Sequence, residues 1–147
     1  MTEFDIQKSL IDVFKTLNTF SQIEFLKIEN GEYKNVHLPN ISFSEPEDKR
    51  YFDLTFRNNE GVPIGMLPDS QERITGVLYI DVYTPKDSGE SEAETKCKWI
   101  KKLYHSNNGF FDDSVIKNIY ISTKGADGDK YRLQLAVEWE ADIDKES

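Results

Sequence analysis

The sequence predicts an α+β fold: a mostly antiparallel β-sheet with two α-helices packed on one face. Three observations predict it. Tyr51–Arg57, Glu72–Tyr83 and Lys130–Glu140 alternate apolar and polar residues, the period of a half-buried strand. The stretches Glu3–Asn18 and Gly89–His105 instead repeat apolar residues at three- and four-residue spacing, the period of a helix with one buried stripe. The strands are joined by turn-rich segments, Asn58–Gln71 and Lys124–Asp129, that suit antiparallel neighbours.

Each element has its own reason. Thr2 and Asp5 suit a helix start, and Phe4, Ile6, Leu10, Val13, Phe14 and Leu17 form the stripe that follows. Thr19–Gln22 breaks that period. Ile23–Ile28 reads as a short strand, and Asn30-Gly31 is a turn signal that would return the chain along Tyr33–Leu38 as a small hairpin. In Tyr51–Arg57 the apolar set is Phe52, Leu54 and Phe56. Asn58–Gln71 holds Asn, Gly and Pro together with Ile64, Met66 and Leu67, which follow no period. It is expected to be a long functional or mobile loop between two strands. In Glu72–Tyr83, Leu78, Ile80 and Val82 point one way, and Val77, Tyr79, Asp81 and Tyr83 the other. Pro85 has no N–H for a ladder and should end the strand. Ser88 is then placed to cap the next helix, with Glu90, Glu92 and Glu94 near its positive end. That helix buries Ala93, Cys97, Ile100 and Tyr104, widened by Trp99 and Leu103. Lys96, Lys98, Lys101 and Lys102 read as a solvated basic end of it, and Asn107-Asn108-Gly109 stops it. Ile116–Ser122 is a strand and Lys124–Asp129 a turn. The last strand puts Tyr131, Leu133, Leu135, Val137 and Trp139 on the core side, and Arg132, Gln134, Glu138 and Glu140 on the other.

The chain has 147 residues, which suits a single domain over 1–147 able to bury about two-thirds of its unfolded surface. With 18 basic and 27 acidic residues the net charge is −9, which argues against a clustered basic face for a phosphate backbone. One cysteine, Cys97, cannot staple the fold, so a reducing compartment is expected. No apolar run reaches the roughly 20 residues of a membrane span, and the N-terminus lacks a basic-then-apolar signal pattern.

Nothing assembles an active site. His37 and His105 have no Cys, His or carboxylate at metal-ligand spacing, and a structural role suits both. Cys97 sits on the buried stripe, where a thiol is inert. Gly61, Gly65, Gly76 and Gly89 make no phosphate-cradling motif, and Ala126-Asp127-Gly128-Asp129 lacks the closing glutamate of a calcium loop. Glu45, Glu47 and Asp48 read as a solvated turn. No cofactor and no enzymatic activity are expected.

Three segments share a pattern with a known family. Gly76 precedes Tyr79, Ile80, Val82 and Tyr83, followed by Pro85 and Gly89, a strand and turn that open a helix. Upstream, Asn40-Ile41-Ser42-Phe43 is followed by Glu45-Pro46 and then Tyr51-Phe52-Asp53-Leu54. Tyr131-Arg132 begins a strand that closes in Trp139-Glu140-Ala141. The chain thereby resembles the phage tail terminator proteins, with the stretch Glu24–Leu38 as a longer, more polar insert. The resemblance implies a structural protein of the virion, made in the bacterial cytoplasm and placed at the neck end of the tail. It would cap the tail tube, end its polymerisation and join the tail to the head connector as a ring of six. The implied partners are other copies of itself, the major tail tube protein and head–tail connector proteins. DNA would pass through its channel without specific binding, and no membrane is involved. Asn59, Ile64, Met66 and Leu67 are the expected subunit or tube contacts, and Glu138 and Glu140 the expected acidic channel face. Two other readings fit the composition: a small acidic binding or immunity-type inhibitor offering carboxylates to a basic partner, or another phage neck or tail component of similar fold.

Overall fold

The first helix shows how the chain turns sequence period into packing. In the computed structural model, which describes residues 3–58, 62–63, 71–87, 89–109 and 114–144, helix α1 (Glu3–Phe14) buries Ile6, Leu10 and Phe14 completely. The helix was expected to reach Asn18. It stops earlier because Thr16 N–H bonds to Val13 O three residues back, tightening the turn. The chain then starts a second, short helix, α2 (Leu17–Ser21), ended by Gln22 in the left-handed conformation at φ 59°. Leu17 still reaches the core, but from its own helix.

The strand expected over Ile23–Ile28 is almost absent, and the reason is local. Asn18 clamps Leu26 on both sides: its side-chain N–H donates to Leu26 O at 2.7 Å, and its oxygen accepts from Leu26 N–H at 2.8 Å. Asn35 does the same to Phe25 O and Lys27 N–H, both at 2.8 Å. Side chains have taken the backbone groups that a ladder would need. Only β1 (Ile28–Glu29) and β2 (Glu32–Tyr33) pair, around Asn30 and Gly31 at φ 53° and 78°. Two positive φ values in a two-residue loop define the turn that the Asn-Gly signal demands. The expected return strand splits, and its second part, β3 (Val36–His37), runs parallel to the next strand with Val36 opposite Phe52.

Apart from this β3–β4 pair the main sheet is antiparallel, in the order β3-β4-β6-β8-β7. It is built from β4 (Tyr51–Asn58), β5 (Val62–Pro63), β6 (Gln71–Pro85), β7 (Ser114–Asp127) and β8 (Lys130–Asp144). β5 pairs with β6 at Arg73 and Glu72, so part of the expected Asn58–Gln71 loop is strand; 59–61 and 64–70 lie outside the described residues. β6 ends at Pro85, as expected. Ser88, the expected cap, lies outside the described residues; helix α3 (Glu90–Ser106) begins after Gly89 with no side-chain cap. β7 and β8 run further than expected, to a two-residue turn at Gly128-Asp129.

The alternation read from β6 and β8 is realised in the packing. Leu78, Ile80, Val82, Leu133 and Val137 have no exposure, and Leu135 and Trp139 have 1 %. Ala93, Cys97, Ile100, Leu103 and Tyr104 of α3 close over them. The Tyr104 hydroxyl donates to Leu10 O at 2.7 Å and ties α3 to α1. In β7 the register shifts at Lys117 and again at Ser122. The first bulge lets Ile116 and Ile119, an odd spacing apart, both reach the core at 5 % and 4 % exposure.

One residue was misread. Lys96 is not part of the solvated basic end of α3; it is 8 % exposed. With Ala93, Cys97 and Ile100 it shares the buried stripe by three- and four-residue spacing. Its stem lies in the core, and its ammonium reaches Glu92 at 3.4 Å and sits 5.5 Å from the Phe52 ring centre. Burial holds its pKa below the ordinary lysine value, although Glu92 pulls the other way.

Candidate interaction surface

With the helices on the apolar face, the other face of the sheet carries mostly polar and aromatic side chains, with Val77, Val115 and Ala136 among them. Period 2 puts Asp53, Thr55 and Arg57 of β4 there, with Tyr79, Asp81 and Tyr83 of β6 and Arg132, Gln134, Glu138 and Glu140 of β8. Three groups organise it.

At one end, rings stack across strands. Tyr51 and Tyr83, directly opposed in register, lie 4.5 Å apart with planes 17° from parallel. Phe43 follows at 5.3 Å from Tyr51, and His37 stacks on Phe43 at 5.1 Å. Lys130 covers both tyrosines, 5.2 and 4.8 Å from the ring centres, and donates to the Tyr51 hydroxyl at 2.8 Å and to Glu45. Burial works against the Lys130 charge, but the hydrogen bonds to Glu45 and Tyr51 outweigh it, and its pKa stays above the usual lysine value. Tyr83 is pushed up to about 12, first by burial and then by Asp81. Sequence reasoning left Glu45 in a solvated turn and saw no carboxylate beside His37. The sheet brings Lys130 to Glu45, and the parallel β3–β4 pairing brings Asp53 to 3.4 Å from His37. Neither contact has a local sequence signal.

In the middle, Asp81 is buried to 5 % exposure and paired with Arg132 at 3.1 Å. Desolvation raises its pKa, and Arg132 only partly opposes that. Because the folded-state pKa lies above the unfolded value, Asp81 costs stability increasingly as pH rises through the folded pKa. Arg132→Leu removes the partner and leaves a buried charge. We expect it to lower stability by about 2 kcal/mol at pH 7 and by clearly less near pH 4, where Asp81 gains a proton. Urea unfolding at the two pH values checks it; an equal loss at both would mean the ion pair is not the cause.

At the far end, Arg73 binds Glu140 at 2.9 Å and Asp142 at 3.1 Å, and Lys117 reaches Glu140 at 3.1 Å. Arg73, Glu140 and Asp142, with Ser114 and Val115, line a shallow polar hollow. Glu138 and Glu140, the expected acidic face, both sit on the side of β8 away from the core, half-buried. Glu140 has two cations against it, so this end is a mixed ion-pair network. Glu138 stands between Val77 and Asn118 in register. Asn59, Ile64, Met66 and Leu67 lie outside the described residues.

Among the described residues no three His, Cys, Asp or Glu side chains come together as a metal site, and no helix is long and apolar enough to cross a membrane. Cys97 is buried, and its thiol is pushed up to about 12, chiefly by burial. These groups offer stacking, ion pairing and hydrogen bonding to another protein surface.

No curated protein matches the sequence. Several solved structures match; one chain among them superposes with a TM-score of 0.56 at 11 % identity, over 92 % of this chain and 94 % of its own, and at that identity the likeness concerns the fold. The family model of the phage tail terminator proteins matches residues 21–139, which include all strands but the end of the last and the whole of the long helix. The chain belongs to the phage tail terminator family, whose members serve as structural components of phage tails.

Proposed function

We propose that this protein caps the tail tube, ends its polymerisation and joins the finished tail to the head connector, as a ring of six at the neck end of the virion. The observation that carries this reading is the family match over residues 21–139. The chemistry is consistent with it. A cap must bind protein firmly and let DNA slide past. A sheet with one face packed by helices and the other lined with ion pairs and stacked rings provides rigid, polar contact area. A net charge of −9 disfavours sticking to phosphates in a channel.

In this reading Glu138 and Glu140 border the DNA path, with Glu138 the more effective because Glu140 is partly neutralised by Arg73 and Lys117. Asn59, Ile64, Met66 and Leu67 would meet the next subunit or the tube. Ile64, Met66 and Leu67 are large apolar side chains on a segment with Gly and Pro, suited to burial on docking. Cryo-electron microscopy of the virion neck tests the placement. Six copies at the head-proximal end of the tube, with 59–67 against a neighbour and Glu138 toward the lumen, are expected. Copies at the distal tip, or Glu138 on the outer wall, would defeat the assignment or the channel role respectively.

A further inference from the structure

Among the described residues, seven large apolar side chains are at least 38 % exposed, and they fall into two sets. Phe20, Ile23, Ile28 and Ile41 lie on the segment that carries the β1–β2 hairpin; Val115, Tyr120 and Ile121 lie on β7, where Ile121, opposite Leu135, is on the helix side and Val115 and Tyr120, opposite Glu140 and Ala136, are on the open face. These sets belong to opposite edges of the sheet, since the hairpin leads directly into β3 at one edge while β7 forms the other. Their surroundings differ in charge. Beside β7, Ile121 is 50 % exposed over a groove floored by Cys97 and Leu135 and rimmed by Lys98 and Lys101, with Glu94 at one end. At the hairpin, Ile28 and Ile41 are 54 % and 57 % exposed, and Glu29 stands directly opposite Glu32 in the ladder. Like charges opposed across a strand pair are unfavourable within one chain. Glu32 has only Lys34 at 3.5 Å, with the two side chains 48 % and 75 % exposed, a weak and exchangeable pair.

We infer that the lysine-rimmed groove between α3 and β7 receives the Ile28–Glu32 hairpin of a second copy of this chain. Apolar meets apolar at the centre, and lysine meets glutamate at the rim. The bulges at Lys117 and Ser122 interrupt the outer edge of β7, so docking runs through side chains of the groove and not through a continuous backbone ladder. Two different, complementary patches on opposite edges make a heterologous contact, which propagates head to tail and forms a ring when the rotation between copies closes. The inference rests on the ring reading proposed above and supplies its interface. It also gives the polar insert Glu24–Leu38 a task.

Cross-linking in assembled tails tests it. Cys97 lines the same groove, so every variant also carries Cys97→Ser. The full-length chain carrying Ile28→Cys and Ile121→Cys is incorporated into tails and treated with a short bis-maleimide. A ladder of products ending in a closed ring species is expected, while either single variant gives none, because a heterologous contact never brings like residues together. Products from a single variant, or no ladder from tails on which micrographs show a ring, would overturn the interface and leave the ring reading standing. Micrographs without a ring on the wild-type tail would instead defeat the ring reading and this inference with it. A charge exchange gives a second readout. Lys98→Glu with Lys101→Glu should reduce ring-bearing tails about tenfold or more, and adding Glu29→Lys with Glu32→Lys should restore them. Failure of restoration, with all variants folded by circular dichroism, would count against the pairing.

Discussion

Gly89→Ala is expected to lower stability by about 3 kcal/mol, although alanine is a conservative change and Gly89 has an ordinary φ of −99°. The cause is a close approach between the end of β6 and the start of α3. A Cβ at this position would lie 2.1 Å from the Thr84 hydroxyl oxygen and 2.4 Å from Pro85 O. The Thr84 side chain cannot swing away freely: it is fully buried and donates to Gly89 O at 2.9 Å. Pro85 O is backbone, so relief requires α3 to shift off the strand it packs on. Gly109→Ala, with nothing within 4 Å of its added Cβ, should change stability by well under 1 kcal/mol and serves as the control. Urea midpoints of the two variants decide it. Similar, small effects would mean that the junction yields easily.

Phe52→Ala should cost about 4 kcal/mol, a large share of the roughly 5–15 kcal/mol that holds a domain folded. Phe52 is fully buried and meets the Phe14 ring edge-on at 5.5 Å, linking β4 to α1. It also lies under the Lys96 ammonium. Truncation therefore leaves a cavity and removes the aromatic face from a buried cation at the same time. Phe52→Leu keeps most of the volume and should lose clearly less. If the two substitutions cost the same, the ring contributes only volume, and the Lys96 contact is incidental.

The central sheet and the long helix were legible because their signals are local. From Leu78 to Val82 in β6 and from Tyr131 to Trp139 in β8 every second residue is apolar, so core and open faces follow from parity there. Pro85 marks its strand end through a missing donor. What escaped depends on partners far away in sequence. Lys96 carries the charge of a surface residue and the position of a core one; only Phe52 and Glu92 together show why it can be buried. Asp81 was placed on the correct face, but its burial depends on Arg132, fifty-one residues away. The helix that ends at Phe14 and the strand missing over residues 23–27 both failed where a side chain or a tight turn captured backbone groups, as Asn18 and Asn35 do. The bulges of β7 have no sequence mark beyond an odd spacing of isoleucines.

The same split holds for the surface. That Glu138 and Glu140 face away from the core follows from parity. That Glu140 is held by Arg73 and Lys117 does not, because one cation comes from β6 and the other from β7. The Tyr51–Tyr83 stack with Lys130 above it joins residues from β4, β6 and β8, which are far apart in the sequence.

The length distribution of tail tubes in infected cells lacking this protein tests the central claim most directly. Negative-stain micrographs of such lysates should show tubes of widely varying length, without attached heads, and supplying the intact chain should restore one length and joined particles. Tails of a single normal length, joined to heads in its absence, would contradict the assignment.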